Sequence, residues 1–308
     1  MTHKQGTTEW LAERREYIGA SEFGVILGLD QYRSEYELAL LKKGLMEPEP
    51  TNAAMEWGHR VQRLALEVYG EMTGRTVHNV NTTTTSKRWP HVRASLDGRV
   101  VGERRGVEVK LTRAWTEPPK RVTAQCLGQM AICNLDAVDV MRVGMGYGEP
   151  GIYTIERDET AEQLCDLAEA WYQRYVLTDE LPPVDGSRGA GKYLDRLRGE
   201  EERAANDQQA TLLAGLRTVR ARLAEDEKLD RLIVNELKAT MVDTGILTAP
   251  TARVTWAATK GRAKTDWHKV AQMLKGEMPA EQFDELAERH TTISDPSTRF
   301  AVKFTEGE

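Results

Sequence analysis

One acidic residue, followed eleven positions later by an acid-x-lysine triplet on an alternating run, constrains this chain more than any other feature. The first is Asp97-Gly98 inside SLDG, and the second is Glu108-Val109-Lys110 inside GVEVKL. Val107, Val109 and Leu111 alternate with Glu108 and Lys110. A period of two is that of a strand, so Glu108 and Lys110 project from one face. A tight turn at Asp97-Gly98, between two β-rich runs, would return Asp97 to the same face. Two carboxylates and one ammonium then converge. Hard oxygen donors of this kind suit Mg²⁺ or Mn²⁺. The lysine is placed to orient or deprotonate a water, or to stabilise charge on a phosphate. The same letters also fit a polar strand face with a cross-strand ion pair, and the rest of the chain has to decide between the two.

The chain has 308 residues, 40% hydrophobic and 29% charged, enough for one large domain or two small ones with a real core. A net charge of −6 excludes a uniformly basic nucleic-acid coat, though not a local basic patch. Basic pairs stand at Arg14-Arg15, Lys42-Lys43, Lys87-Arg88 and Lys120-Arg121. The cysteines, Cys126, Cys133 and Cys165, are odd in number and lack a C-x-x-C pair. That argues against a disulfide scaffold, a zinc ribbon or an iron–sulfur cluster, and fits a reducing cytoplasm. With neither an 18-residue apolar run nor a signal peptide, a soluble, unexported protein is expected, with no membrane partner. The Gly-rich GSRGAGK of 186–192 lacks the spacing of a phosphate-binding loop, so a nucleotide site is rejected.

Along the chain, residues 7–15 read as a short helix after a Thr cap. Gly19 and Ala20 permit a sharp turn, and Ser21 is a natural N-cap for a helix through Leu27. A helix start of this kind can seat a phosphate, with Arg14 as a bidentate partner, and a plain capped helix reads equally from these residues. Ser34 caps a helix ending at Gly44. The next helix, 55–74, has Val61, Leu64, Ala65, Val68 and Met72 as its buried stripe, with His59 read as a surface histidine. Residues 75–86 suit strand and turn. A helix over 118–134 turns Val122, Cys126, Met130 and Cys133 inward, and Gln125 and Gln129 share one face. Strands follow at 138–143 and 152–155, then an amphipathic helix over 159–180 carrying Leu164, Leu167, Ala168, Trp171, Tyr172 and Tyr175. Residues 184–199 read as a loop or linker, and 200–241 as a long helix or helical hairpin with a solvated charged face. A strand at 252–259, helices at 265–276 and 281–290, and a closing strand at 297–304 complete the chain. The division expected is a core over 1–185, a linker over 186–199 and a helical extension with short strands over 200–308.

Four segments, in order, resemble the YqaJ-type viral recombinase family, lambda-exonuclease-like members of the PD-(D/E)XK nuclease superfamily. They are Trp10…Arg14 with IGASEFGVILG, AMEWGHRVQRLALEVYGEMTG, SLDG with GVEVK, and TAQCLGQMAI. The resemblance implies an α+β fold, a mixed central sheet flanked by helices. It implies a metal-dependent 5′→3′ exonuclease on double-stranded DNA ends that leaves 3′ single strands for phage-type recombination. Alternatives are an end-binding or scaffold protein with a weakened site, or an endonuclease on the same core. By motif, Asp97, Glu108 and the Val109 carbonyl would bind metal, expected as two Mg²⁺ ions with Mn²⁺ as a substitute. Lys110 would position the attacking water, Gln125 would fall on the family's active-site glutamine, and Arg14 with Ser21 would grip the 5′-phosphate. Implied partners are DNA ends, a single-strand annealing protein and a homo-oligomer, a trimer by analogy, in the cytoplasm of a bacterial host carrying a phage or prophage. The chain departs from the pattern at Gln62, where the family usually has a glutamate; Glu56 or Glu67 are the acids nearest to it. Leu96 stands where a proline is common, and Lys87 where another acid occurs.

Overall fold

The structure is a computed structural model. It describes residues 8–48, 53–80, 82–112, 115, 117–144, 149–199, 202–258 and 266–291; for 8–11, 53–56, 59, 268, 276 and 277 it describes the backbone alone. The chain forms two compact units, residues 1–198 and 199–308.

The first unit opens with α1 (Thr8–Arg15), β1 (Ile18–Gly19), a 3₁₀ turn (Ala20–Glu22) and the single turn α2 (Phe23–Ile26). Then come α3 (Glu35–Lys42), α4 (Ala53–Thr73), β2 (Val77–Asn79), β3 (Thr83–Thr85), β4 (Val92–Ser95), β5 (Gly98–Val100) and β6 (Arg105–Thr112). After these follow α5 (Lys120–Cys133), β7 (Ala137–Gly144), β8 (Gly151–Glu156), α6 (Thr160–Tyr175) and α7 (Arg188–Arg196). A five-stranded sheet runs β2-β5-β6-β7-β8, with β6 and β7 parallel and the other neighbours antiparallel. The parallel step needs a crossover, and α5 supplies it. A second, small sheet runs β1-β4-β3. The α+β expectation is met.

Each face of the large sheet buries against helices. Val107 and Met141 pack with Val100 against Ala65, Leu66 and Tyr69 of α4. Val138 and Val140 pack with α5 and α6 in the larger core, which contains Val122, Cys126, Met130 and Cys133 as expected. Glu108 pairs in register with Val140, and parallel partners share a face, so Glu108 points to the α5 side.

Several expectations shift. On α4, Leu64 and Met72 are exposed, and the buried stripe is Ala65, Leu66 and Tyr69. The sheet meets the helix one residue round from the hydropathy estimate, because the Tyr69 hydroxyl reaches the buried Asp139 at 2.5 Å. Leu167 of α6 is likewise exposed, while Ala161 and Cys165 are buried. Residues 184–199 are no plain loop. Ser187 caps α7, Ala190 packs on Tyr36 and Leu40, and the Gly189 N–H donates to Glu37 Oε1 at 2.5 Å. A glycine is required there, since an added Cβ would lie 2.2 Å from that oxygen. Thr7, the expected cap of α1, and the strand expected at 297–304 lie outside the described residues, as do the side chains of Trp10, Glu56 and His59.

The second unit holds α8 (Asp207–Thr240), a hairpin of β9 (Ile246–Ala249) and β10 (Ala252–Thr255), α9 (Trp267–Glu277) and α10 (Ala280–His290). The single helix α8 resolves the alternative between helix and helical hairpin. Strand β9 escaped the sequence reading because TGILTAPT carries a proline at its turn. Among the described residues no helix is long and apolar enough to cross a membrane.

Candidate active site

Asp97 does not sit in a hairpin turn. It lies in the two-residue link, Leu96-Asp97, by which the chain passes from β4 of the small sheet to β5 of the large one. The hairpin turn is at 101–104. The convergence survives because β5 and β6 pair Gly98 with Val107. One step further in that antiparallel register sets Asp97 opposite Glu108, on the same face. Beyond Gly98 the β6 edge is open, and the Val109 N–H donates to Asp97 Oδ2 at 2.7 Å instead of to a strand.

Glu108 is buried at 5% exposure and holds three donors. Lys110 Nζ lies 2.7 Å from Glu108 Oε1, and Gln125 Nε2 donates to the same oxygen at 2.8 Å. Gln129 Nε2 donates to Glu108 Oε2 at 2.7 Å and to the Ser95 carbonyl at 2.9 Å. Lys110 also donates to Gln125 Oε1 at 2.9 Å, closing a ring. Two acceptors fix the Gln129 amide orientation, since reversal would turn its oxygen onto a carboxylate. Gln129 is therefore part of the site. Its spacing from Gln125 put it on the right face, but no motif assigned it.

Electrostatics follow from this packing. Burial, then the Glu108 charge, pushes the Asp97 carboxyl up to about 7, against the pull of the Val109 N–H and of Lys110. Burial alone would lower Lys110, yet the Glu108 charge and hydrogen bond prevail and raise it. Its ammonium is thus held protonated. Gln62 Nε2 donates to Asp97 Oδ1 at 2.8 Å, so the residue that departs from the family pattern touches the site. Glu67 is exposed and pairs with Arg63, and does not compensate for it.

Arg14 and Ser21 come together around Gly19. A Cβ added at Gly19 would lie 3.6 Å from Ser21 Oγ and 3.8 Å from Arg14 Nη2. Ser21 is not the expected N-cap. It sits within the 3₁₀ turn, exposed, and the cap is Gly19, whose N–H donates to Glu22 Oε2 at 2.9 Å. Glu22 also receives Arg14 Nη2 on Oε1 at 2.9 Å and Lys42 Nζ on Oε2 at 2.7 Å. The sequence gave no signal for this buried pair.

Residues 9–136 match the model of the YqaJ-like viral recombinase domain. This stretch is a YqaJ-like domain. It contains Arg14, Ser21, Asp97, Glu108, Lys110 and both glutamines. The Bacillus subtilis (strain 168) protein YqaJ is 25% identical over 252 residues, spanning 76% of this chain and 78% of its own. Among solved structures, the Laribacter hongkongensis alkaline exonuclease LHK-Exo is similar with a TM-score of 0.47 and 22% identity, covering 55% of this chain and 92% of that one. A phage-related exonuclease from Haemophilus somnus 129PT gives a TM-score of 0.43 at 12% identity, with 52% and 93% covered.

Proposed function

We propose that this chain is a metal-dependent 5′→3′ exonuclease that degrades one strand from double-stranded DNA ends, leaving 3′ single strands for recombination with a single-strand annealing protein. The observation that carries the reading is the ring of Glu108, Lys110, Gln125 and Gln129 on one strand face, with Asp97 set opposite Glu108. The match to a viral recombinase domain supports the same reading.

A hard divalent cation fits these residues. Two buried carboxylates lie side by side, and the upward shift of Asp97 shows the strain of placing two negative charges there. Among the described residues no group of three or more His, Cys, Asp or Glu is placed to hold a metal, so the other ligands would be neutral oxygens and water. The N–H and C=O of one strand residue face the same edge, so the Val109 carbonyl shares the side of the N–H that reaches Asp97. Asp97, Glu108 and Val109 would hold Mg²⁺ or Mn²⁺, and Gln62 would offer only a neutral oxygen to a second ion. When bound, such ions would lower the pKa of a water and neutralise charge on the phosphate and leaving oxygen.

The protein groups divide the remaining work. Lys110, kept charged, orients the water and stabilises negative charge, and does not act as the base. Gln125 and Gln129 lock Glu108 and Lys110 in place. Arg14 and the Ser21 hydroxyl would hold the terminal 5′-phosphate, which fixes the direction of degradation.

The test compares linear duplexes bearing 5′-phosphate or 5′-hydroxyl with covalently closed circles, in Mg²⁺. Stepwise loss of the 5′ strand, faster with phosphate and absent on circles, is expected. Nicked circles would replace this reading with an endonuclease. The Gln62–Asp97 hydrogen bond favours a second reading, an end-binding protein with a weakened site. It requires end binding in Mg²⁺ without degradation at any enzyme excess.

A further inference from the structure

The helix α8 runs 34 residues and buries none of them. At 1.5 Å per residue it is about 51 Å long. A helix of this length in water is ordinarily covered along its apolar side. Leu212, Leu216, Val219 and Leu223 recur at intervals of four, three and four, and Ile233 and Leu237 fall on the continuation of that series. This is the spacing of a coiled-coil seam. Leu212, Val219, Leu223, Ile233 and Leu237 are all exposed. The two positions between, Asp226 and Asp230, interrupt the seam with acid.

Charge identifies what covers it. Residues 207–223 carry Asp207 against Arg217, Arg220 and Arg222, a net +2. Residues 224–240 carry Glu225, Asp226, Glu227, Asp230 and Glu236 against Lys228, Arg231 and Lys238, a net −2. A parallel pair of such helices would set like charge on like. An antiparallel pair sets each basic half on an acidic half. It also brings the two apolar ends together, Leu212 facing Leu237 and Leu216 facing Ile233. Asp226 and Asp230 then face the stretch that carries Arg220 and Arg222, and Arg220 flanks the seam opposite Glu227. A polar break in a seam is what fixes register and orientation.

We propose that α8 is a homodimerisation element that pairs antiparallel with α8 of a second copy of this chain. The inference is independent of the nuclease reading.

Light scattering and cysteine cross-linking on the full chain test it. The wild-type protein is expected to have a mass that is an even multiple of the chain at micromolar concentration. R217E/R220E/R222E makes the helix acidic throughout and should halve that mass, as should E225K/D226K/E227K, which makes it basic. Co-expression of the two should restore it. For orientation, L213C and V234C co-expressed should cross-link to each other under mild oxidation. Neither should cross-link with itself, because like positions lie about 31 Å apart along an antiparallel pair. The native cysteines are buried and do not compete. A monomeric or odd-numbered wild type, unchanged mass in the charge variants, or self-cross-linking of L213C would each overturn the proposal.

Discussion

Glu22→Gln is the perturbation whose effect can be worked furthest from the structure. The Glu22 side chain is only 7% exposed and accepts from Arg14, Lys42 and the Gly19 N–H. Lys42, 3% exposed, also donates to the Arg14 and Tyr17 carbonyls at 2.7 and 2.6 Å. Burial pushes Glu22 up, but Lys42 and Arg14 outweigh it and hold the carboxyl at about 2, from an ordinary 4.5. Burial pulls Lys42 down to about 8, from 10.5, against the support of Glu22. Removing the carboxylate leaves a buried ammonium without its counter-charge, which costs about 3–5 kcal/mol. A ceiling comes from letting Lys42 lose its proton. Neutralising it at pH 7 from 10.5 is 3.5 pK units, or about 5 kcal/mol. Urea unfolding at pH 7 should therefore show E22Q destabilised by about 3–5 kcal/mol. E22Q/K42M, which removes both charges, should recover ~1–3 kcal/mol of that. An E22Q cost below ~1 kcal/mol, or a double variant as unstable as the two singles summed, refutes the reasoning.

The same pair makes a pH prediction. The folded pKa of Glu22 is depressed, so its contribution is fully present above about 4.5 and is lost as pH falls from about 4.5 towards 2. Wild-type stability should decline in that window more steeply than that of E22Q. Loosening Arg14 should also show in function. If Glu22 fixes the guanidinium beside Ser21, E22Q lowers the preference for 5′-phosphate over 5′-hydroxyl ends, while Lys110-dependent cleavage persists.

Lys110→Ala removes the charge held between Glu108 and Gln125 and should lower the turnover rate by roughly 10²–10⁴-fold with the fold intact; near-wild-type turnover would exclude Lys110 from the chemistry. Gln62→Glu adds a carboxylate beside Asp97 and should lower the Mg²⁺ concentration for half-maximal cleavage, read by metal titration. An unchanged midpoint would show that Gln62 does not face the ion.

The site was legible where local pattern and geometry coincide. Glu108 and Lys110 alternate with valines on a strand, and the strand formed. Gln125 lies one helical turn from Gln129, and both reached Glu108. Asp97 was placed on the right face by the wrong device. A turn at Asp97-Gly98 and a link between two sheets look alike in sequence, because both need a residue that tolerates a break in strand pairing. Gly98 is needed for space and not for its dihedral angles, as a Cβ there would lie 2.7 Å from Val77 and 2.8 Å from Leu66. Glu22 and Lys42 could not be paired from sequence, since twenty residues separate them and each alone reads as surface charge. The stripe on α4 was misjudged at Leu64 and Met72, where hydropathy counts apolar residues without knowing which way the sheet approaches.

The contact between Gly128 and Phe23 joins the two halves of the site. Helix α5 carries Gln125 and Gln129 at the catalytic ring. One residue before Gln129, Gly128 has no side chain, and a Cβ there would lie 2.5 Å from the Phe23 ring. Phe23 stands two residues after Ser21 and is buried at 1% exposure. A real Cβ contact is never so short, so Gly128→Ala has to displace either the ring or the helix. Alanine in a helix gains about 1 kcal/mol over glycine, and overpacking costs about 1–3 kcal/mol. The two nearly offset, so the variant should remain folded while the 20–23 segment moves relative to α5. If the end anchor and the cleavage ring work at a fixed separation, G128A should slow digestion of 5′-phosphorylated ends more than that of 5′-hydroxyl ends, at nearly unchanged stability. Equal slowing on both substrates would place the damage in the ring itself, and no slowing on either would show that this contact does not set the distance between anchor and cut.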